Sequence, residues 1–171
     1  LFLVSHTPEL INQIKKYDPQ IICFSALTGV HQSIYKLASL IKKEIKNVIT
    51  LMGGPHATYS PEAIHEDGID IICRGEGEYA VLELAEELEK NTDITNIQNL
   101  WVKKKNGEVV KNDMRPVANL NELPFPDREL YYKYDFLRDL PMKRFIASMG
   151  CPYQCTFCHE PVIHKMYKGK G

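Results

Sequence analysis

The chain has 171 residues, about one domain and a fraction at ~150 residues per domain, and its 44% hydrophobic and 25% charged residues exclude disordered and fibrous classes. With 21 basic and 22 acidic residues the formal charge is −1, so no overall basic excess indicates a nucleic-acid partner. No apolar run approaches the ~20 residues of a membrane-spanning helix.

Helix-like and strand-like patterns alternate through the first half of the chain. Each predicted strand is a short apolar run, and hydroxyl-proline-acid triplets mark two of the helix starts. In chain order the predicted elements are a helix from Thr7, a strand over residues 20–25, a helix over 34–45, a strand over 48–52, a helix from Ser60, a strand over 69–73 and a helix that ends near Asn91. This alternation predicts an α/β fold with a doubly wound, Rossmann-like parallel sheet.

The alternation ends after Asn91, where a hairpin and a linker are predicted. Asn106-Gly107 between two apolar stretches is a strong hairpin signal, and three prolines indicate an extended linker over residues 115–127. A short helix over residues 128–134 and a strand over residues 144–148 then lead into a cluster of cysteines. The expected domains are an α/β domain over residues 1–92, a hairpin and linker over 93–140, and a third region over 141–171.

Three of the five cysteines, Cys151, Cys155 and Cys158, have the spacing C-x3-C-x2-C. Thiolates are soft ligands that suit iron–sulfur clusters or zinc. Because structural zinc takes four protein ligands, three cysteines favour a 4Fe–4S cluster in which one iron has no protein ligand. Two alternatives stay open: a Cys3His zinc site completed by His159 or His164, and an electron-transfer cluster completed by a fourth cysteine outside this sequence.

The remaining cysteines, Cys23 and Cys73, stand alone in apolar runs and are expected to be buried core residues. An odd cysteine count without a signal-peptide pattern predicts a reducing, cytoplasmic location. Because the chain begins at Leu1 and ends on Lys-Gly-Lys-Gly, we expect it to be an excerpt of a longer protein.

Small residues follow two of the predicted strands: Ser25-Ala26-Leu27 follows the first and Gly53-Gly54 the second. Open α/β sheets bind ligands at the carboxyl ends of their parallel strands, so these residues are candidates for ligand contact, although they are equally typical of turns. Glu76 and Glu78 follow the third strand and are interpreted as charges that complement a helix dipole.

The cysteine loop resembles that of the radical S-adenosylmethionine superfamily. Residues 151–158 match its CxxxCxxC motif, including the aromatic Phe157 before the last cysteine. The resemblance implies that a 4Fe–4S cluster on Cys151, Cys155 and Cys158 binds S-adenosylmethionine, near Phe157, and cleaves it reductively to a 5′-deoxyadenosyl radical. It also implies the first strand of a truncated (β/α)6 partial barrel, an electron donor such as flavodoxin or ferredoxin, and a small-molecule substrate.

The α/β half resembles the cobalamin-binding domains that precede some radical S-adenosylmethionine domains. Ser25-x-Leu27 matches that family's SxL element, and Gly53-Gly54 matches its GG element. The family's DxHxxG element, which carries the histidine that coordinates cobalt, would lie before Leu1. The resemblance implies cobalamin contacts from Ser25, Ala26, Leu27, Gly53, Gly54, Pro55, His56, Gly75 and Glu76. For His56, a loop histidine satisfied within the protein is the alternative.

These observations favour a cobalamin-dependent radical S-adenosylmethionine enzyme that performs methyl transfer or carbon–carbon bond chemistry on an unknown substrate. These 171 residues alone are expected to be inactive, because most of the barrel is missing. The competing hypothesis is a non-catalytic α/β ligand-sensing module joined to a Cys3His zinc knuckle.

Overall fold

The computed structural model describes residues 7–146 and 148–170. The chain forms two compact units, one that extends to Pro116 and one over Val117–Gly169. None of the helices in the described part of the chain is long and apolar enough to span a membrane.

The first unit is built on a five-stranded mixed sheet. The strands lie side by side in chain order, and the first three are parallel while the last two are antiparallel. They are β1 (Ile21–Ser25), β2 (Ile49–Gly53), β3 (Ile71–Cys73), β4 (Leu100–Lys103) and β5 (Val109–Lys111). The α/β class is thereby confirmed, but the sheet is mixed rather than wholly parallel.

The hairpin predicted at Asn106-Gly107 is confirmed, and it belongs to the sheet. β4 pairs with β3 and β5 pairs with β4, so the hairpin adds two antiparallel strands to the parallel layer. The first compact unit therefore runs on to Pro116 and includes residues that were expected to lie beyond a domain boundary at residue 92.

Helices and one 3₁₀ turn connect the strands of the first unit. They are α1 (Thr7–Tyr17), α2 (His31–Glu44), α3 (Gly54–Tyr59), the 3₁₀ turn Pro61–His65 and α4 (Glu78–Glu89). A helical segment begins after Ser60 as predicted, with Ser60 as its N-cap and Pro61 in its first turn, but it is the 3₁₀ turn and not an α-helix. The helix α3, which ends before Ser60, was not predicted. Pro55 suits the first turn of a helix, whereas Pro61 disfavours the helical conformation in Ser60, which has φ −127° and ψ 62°.

Alternate residues of the central strands pack on opposite faces of the sheet. Leu51 and Ile71 point to the face covered by Leu84 of α4, and the neighbouring Met52 and Ile72 point to the other face. That other face is covered by α2, α3 and the 3₁₀ turn, through Tyr35, Ala38, Ala57, Ala63 and Ile64. Helices therefore cover both faces, as the alternating pattern predicts.

β1 differs from the expectation of a strand buried on both faces. It is an edge strand of the sheet, none of its residues is fully buried, and Cys23 is exposed. The expected core position of Cys23 is therefore wrong, because only β2 flanks this strand among the described residues. Cys73 is buried on β3, as expected.

The second unit contains three short helices: α5 (Glu129–Tyr132), α6 (Asp135–Arg138) and α7 (Glu160–Tyr167). The first two confirm a helical segment near residues 128–134. No residue among 117–146 and 148–169 is buried.

The strand predicted over residues 144–148 is wrong for its described positions, and Ala147 lies outside the described residues. Phe145 and Ile146 are 73% and 88% exposed. A strand needs a neighbour to satisfy its backbone hydrogen bonds, and the described residues of this unit offer no second strand. The expected first strand of a truncated barrel is accordingly absent from the described part of the chain.

Candidate functional site

The carboxyl ends of the three parallel strands lie next to one another and form one edge of the sheet. Ser25 at the end of β1 is in register with Gly53 at the end of β2. Beyond them, the Ala26 N–H donates to the Gly53 carbonyl at 2.9 Å, and the His56 N–H donates to the Ala26 carbonyl at 2.9 Å. We call this edge, made by residues 25–27, 53–56 and 74–77, the strand-end rim.

The position of Gly54 can accommodate only a glycine. Its φ is +87°, a conformation that residues with a Cβ rarely adopt, and a Cβ there would lie 2.9 Å from the Ala26 nitrogen and 3.0 Å from Ser25 Oγ. Gly53, by contrast, has extended backbone and room for a Cβ. Of the two glycines, only Gly54 is required by the fold, because the backbone that follows β1 lies directly against it.

The third loop of the rim, residues 74–77 after β3, is held by a hydrogen bond to a residue of α3. Gly75, at φ +68°, donates its N–H to Thr58 Oγ1 at 3.0 Å. The same Thr58 hydroxyl donates to the Gly54 carbonyl at 3.0 Å. One buried hydroxyl therefore joins the first residue of α3 to the loop after β3.

Asn99 fixes the same loop from the opposite side. Its amide nitrogen donates to the carbonyls of Arg74 at 2.8 Å and Glu76 at 3.0 Å, and its side-chain oxygen accepts the Arg115 N–H at 2.9 Å. Asn99 is fully buried and has φ +73°. Asn99 and Thr58 were not predicted from the sequence, because their hydrogen-bond partners are distant in sequence. For Asn99 the available signal was its position directly before a strand.

His56 is a buried histidine whose two ring nitrogens are both hydrogen-bonded. Nδ1 lies 3.1 Å from Thr28 Oγ1 and Nε2 lies 2.9 Å from the Tyr35 hydroxyl. Its ring also stacks on His31. Burial, and secondarily the neighbouring His31, hold the pKa of His56 below its usual range. This is the arrangement of a histidine satisfied within the protein.

Several residues of the strand-end rim are accessible to solvent. Ser25 is exposed, Leu27 is 58% exposed, and Gly53 and Gly54 add no side chain. Pro55, Gly75 and Glu76 are partly exposed along the same rim. Of the two acids interpreted as dipole partners, Glu78 stands in the first turn of α4, and Glu76 precedes the helix. The rim therefore presents polar, apolar and glycine positions to solvent.

The cysteine loop lies in the second unit, immediately before α7. Cys151, Cys155 and Cys158 are free thiols, and the Cys158 N–H donates to the Cys155 carbonyl at 3.1 Å. Within residues 7–146 and 148–170, no three His, Cys, Asp or Glu side chains are arranged to hold a metal ion. The donor set suits an iron–sulfur cluster chemically, and Phe157 beside it is 92% exposed.

The chain matches a known domain family over its first half. The model of the B12 binding domain matches residues 2–85, which include β1, β2, β3 and the strand-end rim. The residues expected from the SxL and GG elements all lie within this match.

Curated relatives match most of the chain. An uncharacterized methyltransferase of Pyrococcus horikoshii is 36% identical over 161 residues, covering 91% of this chain and 35% of that protein. The cobalamin-dependent radical SAM methyltransferase TokK of Streptomyces tokunonensis is 27% identical over 173 residues, covering 92% and 24%. An anaerobic magnesium-protoporphyrin IX monomethyl ester cyclase of Synechocystis is 25% identical over 165 residues, covering 89% and 32%. The chain thus spans about a third or less of the length of these relatives.

Solved structures show the same fold. The cobalamin-dependent S-adenosylmethionine radical enzyme OxsB, with aqua-cobalamin bound, superposes with a TM-score of 0.64 at 25% identity, covering 77% of this chain and 19% of that one. The radical S-adenosylmethionine methyltransferase TsrM from Kitasatospora setae superposes with a TM-score of 0.53 at 17% identity, covering 64% and 23%. The second likeness concerns the fold alone.

Proposed function

Because the chain carries a B12-binding domain and is a relative of cobalamin-dependent radical S-adenosylmethionine proteins, we propose that it binds cobalamin at its strand-end rim. The single observation that carries this proposal is the rim itself, inside residues matched by the family model. There Gly54 closes against Ser25 and Ala26, and neither Gly53 nor Gly54 adds a side chain to the rim.

The residues of the rim suit a corrin in three ways. The Ser25 hydroxyl is exposed and can exchange a hydrogen bond with a polar substituent of the ligand. Leu27 offers apolar surface that a macrocycle would remove from water. Gly53 allows a ring system to approach the backbone of β2 closely, as glycine does at other nucleotide and cofactor sites.

We propose further that His56 takes no part as a cobalt ligand. Both of its nitrogens are engaged, with Thr28 and Tyr35, and a metal would have to break one of these bonds in a buried site. Its role is to hold the loop after β1 against α3, through its ring and through its N–H bond to Ala26.

For the second unit we propose that Cys151, Cys155 and Cys158 hold a 4Fe–4S cluster that binds S-adenosylmethionine, with Phe157 near that ligand. The support is the donor set of three free thiols within one loop and the printed names of the relatives. When bound, the cluster supplies the electron for reductive cleavage of S-adenosylmethionine, and cobalamin supplies methyl-transfer or related chemistry. The substrate is a small molecule, and a cytoplasmic flavodoxin- or ferredoxin-like protein donates the electron.

The cobalamin proposal is tested by titrating the chain with hydroxocobalamin and following absorbance. Gly54→Ala should weaken binding at least about tenfold, because the new methyl group collides with Ala26 and moves the rim. Gly107→Ala is the matched control: Gly107 has φ +86°, close to that of Gly54, but lies in the hairpin with open space around it. Absence of binding by the unchanged chain, or equal loss in both variants, would contradict the proposal.

The cluster proposal is tested by anaerobic reconstitution with iron and sulfide. We expect iron, sulfide and an electron paramagnetic resonance signal that responds to S-adenosylmethionine, all abolished by Cys155→Ala. Stoichiometric zinc that depends on His159 or His164, with no response to S-adenosylmethionine, would instead favour the zinc knuckle.

A further inference from the structure

Thr58 is one of the few polar residues that are buried among those the structure describes. It is 3% exposed and lies on α3 between the buried core and the strand-end rim. A threonine hydroxyl often bonds the carbonyl four residues before it in a helix, as Thr58 does with Gly54. The bond it accepts from Gly75 is different, because it joins α3 to the loop after β3, and the 3₁₀ turn and β3 lie between them in the chain.

Backbone bonds hold the two ends of the loop after β3, because the Arg74 N–H donates to the Asn99 carbonyl at 2.9 Å and the Gly77 carbonyl accepts the Val81 N–H at 2.8 Å. Between these ends, buried side chains bond the loop. Gly75 stands at φ +68°, and Gly77 follows two residues later, so the backbone has more freedom there than in any non-glycine loop. Thr58 fixes the N–H of Gly75, and Asn99 fixes the carbonyls on either side of it. Two peptide groups of the turn, the one between Arg74 and Gly75 and the one between Glu76 and Gly77, are therefore oriented by the buried side chains of Thr58 and Asn99.

We propose that Thr58 is a positioning residue: its hydroxyl holds the third loop of the rim in the orientation that receives the cobalamin. This inference rests on the proposed function of the rim. Fixing a glycine-containing loop before binding removes the entropy that binding would otherwise have to overcome. Loss of the hydroxyl should therefore weaken binding without removing any direct contact with the ligand.

The chain contains a matched control at the other end of β2. Thr50 is also fully buried, and its hydroxyl bonds the Gly68 carbonyl and the carboxylate of Asp70. Thr50 lies on β2, four residues before Gly54 and away from the rim at its carboxyl end. Thr50→Val therefore removes a buried threonine hydroxyl that has a similar number of hydrogen-bond partners. It does not remove any bond to the third loop.

The experiment compares hydroxocobalamin affinity, by absorbance titration, with thermal stability in Thr58→Val, Thr58→Ser and Thr50→Val. We expect Thr58→Val to bind about tenfold more weakly, the effect of one to two net hydrogen bonds, and Thr58→Ser to bind within about threefold of the original chain. Thr50→Val should lose thermal stability but keep its affinity. Unchanged affinity in Thr58→Val, or an equal loss in Thr50→Val, would overturn the positioning role alone.

Failure of the unchanged chain to bind hydroxocobalamin would be a different result, because it would overturn the proposed function and the inference with it. Should Thr58→Val not fold, amide hydrogen exchange of the unchanged chain provides the test. Without any ligand, the Gly75 N–H that Thr58 holds should exchange at least about fivefold more slowly than in an unstructured peptide of the same sequence. Exchange of the Gly75 N–H at the unstructured rate would overturn the positioning role.

Discussion

The ring of His56 stacks on the ring of His31, with centroids 3.9 Å apart and planes inclined by 17°. Two imidazoles this close cannot both become cationic without repulsion, and His56 is also buried. Both effects favour its neutral form and lower its pKa, burial being the larger. His31 in turn accepts the Gly29 N–H at Nδ1, so the pair ties the loop after β1 to the start of α2.

The first prediction concerns stability at low pH. A histidine whose pKa is lowered by folding stabilises the folded state above its unfolded pKa, about 6.5, and that stability is lost as the pH falls toward the lower folded value. We expect the free energy of unfolding, measured with urea, to decline between pH 7.5 and pH 5. His56→Gln should be less stable at pH 7.5 by about 1–3 kcal/mol and show a smaller decline. His65→Gln, at an exposed histidine, serves as the control; an equal decline in His56→Gln would contradict the prediction.

The second prediction concerns the buried thiol of Cys73. Burial, followed by the charge of Glu78, raises its pKa from about 9 to about 11. At a given pH this leaves roughly a hundredfold less thiolate than in an unperturbed thiol, and the thiolate is the reactive form. Burial also raises the pKa of Cys23, but this residue is accessible to solvent. Iodoacetamide at pH 8, with peptide mass analysis, should therefore modify Cys23 in the folded chain and Cys73 only after unfolding. Comparable rates at the two cysteines in the folded chain would show that β3 is not packed as described.

The third prediction concerns the polar network at the amino ends of the strands. Asp70 accepts hydrogen bonds from the Thr50 N–H at 2.9 Å and pairs with Lys42 at 2.8 Å, in a partly buried position. Asp70→Asn should lower the free energy of unfolding by about 1–3 kcal/mol, because the amide removes the charge and one acceptor. In contrast, the exposed pair of Lys15 and Glu44 should give no measurable change in Lys15→Gln. A similar loss of unfolding free energy in Asp70→Asn and Lys15→Gln would contradict the prediction that the partly buried pair contributes more than the exposed one.

The fourth prediction concerns the coordination of cobalt. If His56 only supports the rim, the absorbance and electron paramagnetic resonance line shapes of the bound cobalamin should be the same in His56→Gln and in the original chain. The affinity of the variant can fall, since the loop after β1 loses its attachment to Tyr35 and Thr28. A changed line shape at full occupancy would identify His56 as a ligand and contradict its structural role.

Much of the first unit could be predicted because its signals are local. The apolar runs of β1, β2 and β3 and the turn at Asn106-Gly107 each follow from a few adjacent residues, and all were found where expected. The place of the hairpin was not predictable, because a turn signal specifies which two strands pair but not which sheet they join. The exposure of Cys23 was missed for a related reason: an apolar strand at an edge has the same composition as one at the centre.

In the candidate site too, the residues with local sequence signals were predicted and those that depend on distant partners were not. The SxL and GG elements, Ser25, Leu27, Gly53 and Gly54, were identified from the sequence and lie together on one rim. Thr58 and Asn99 were not identified, because a buried polar residue acquires its meaning only from partners brought to it by the fold. The three cysteines were found by spacing alone, and the strand expected before them failed because strand pairing is a long-range property.

The second unit has no interior: not one of its described residues is buried, and aromatic and aliphatic side chains lie open along it. The chain spans about a third or less of the length of its relatives, so this unit does not provide a core by itself. Bonds from Cys151, Cys155 and Cys158 to the proposed cluster would link three positions of one loop, so that cluster assembly and ordering of this loop would be coupled.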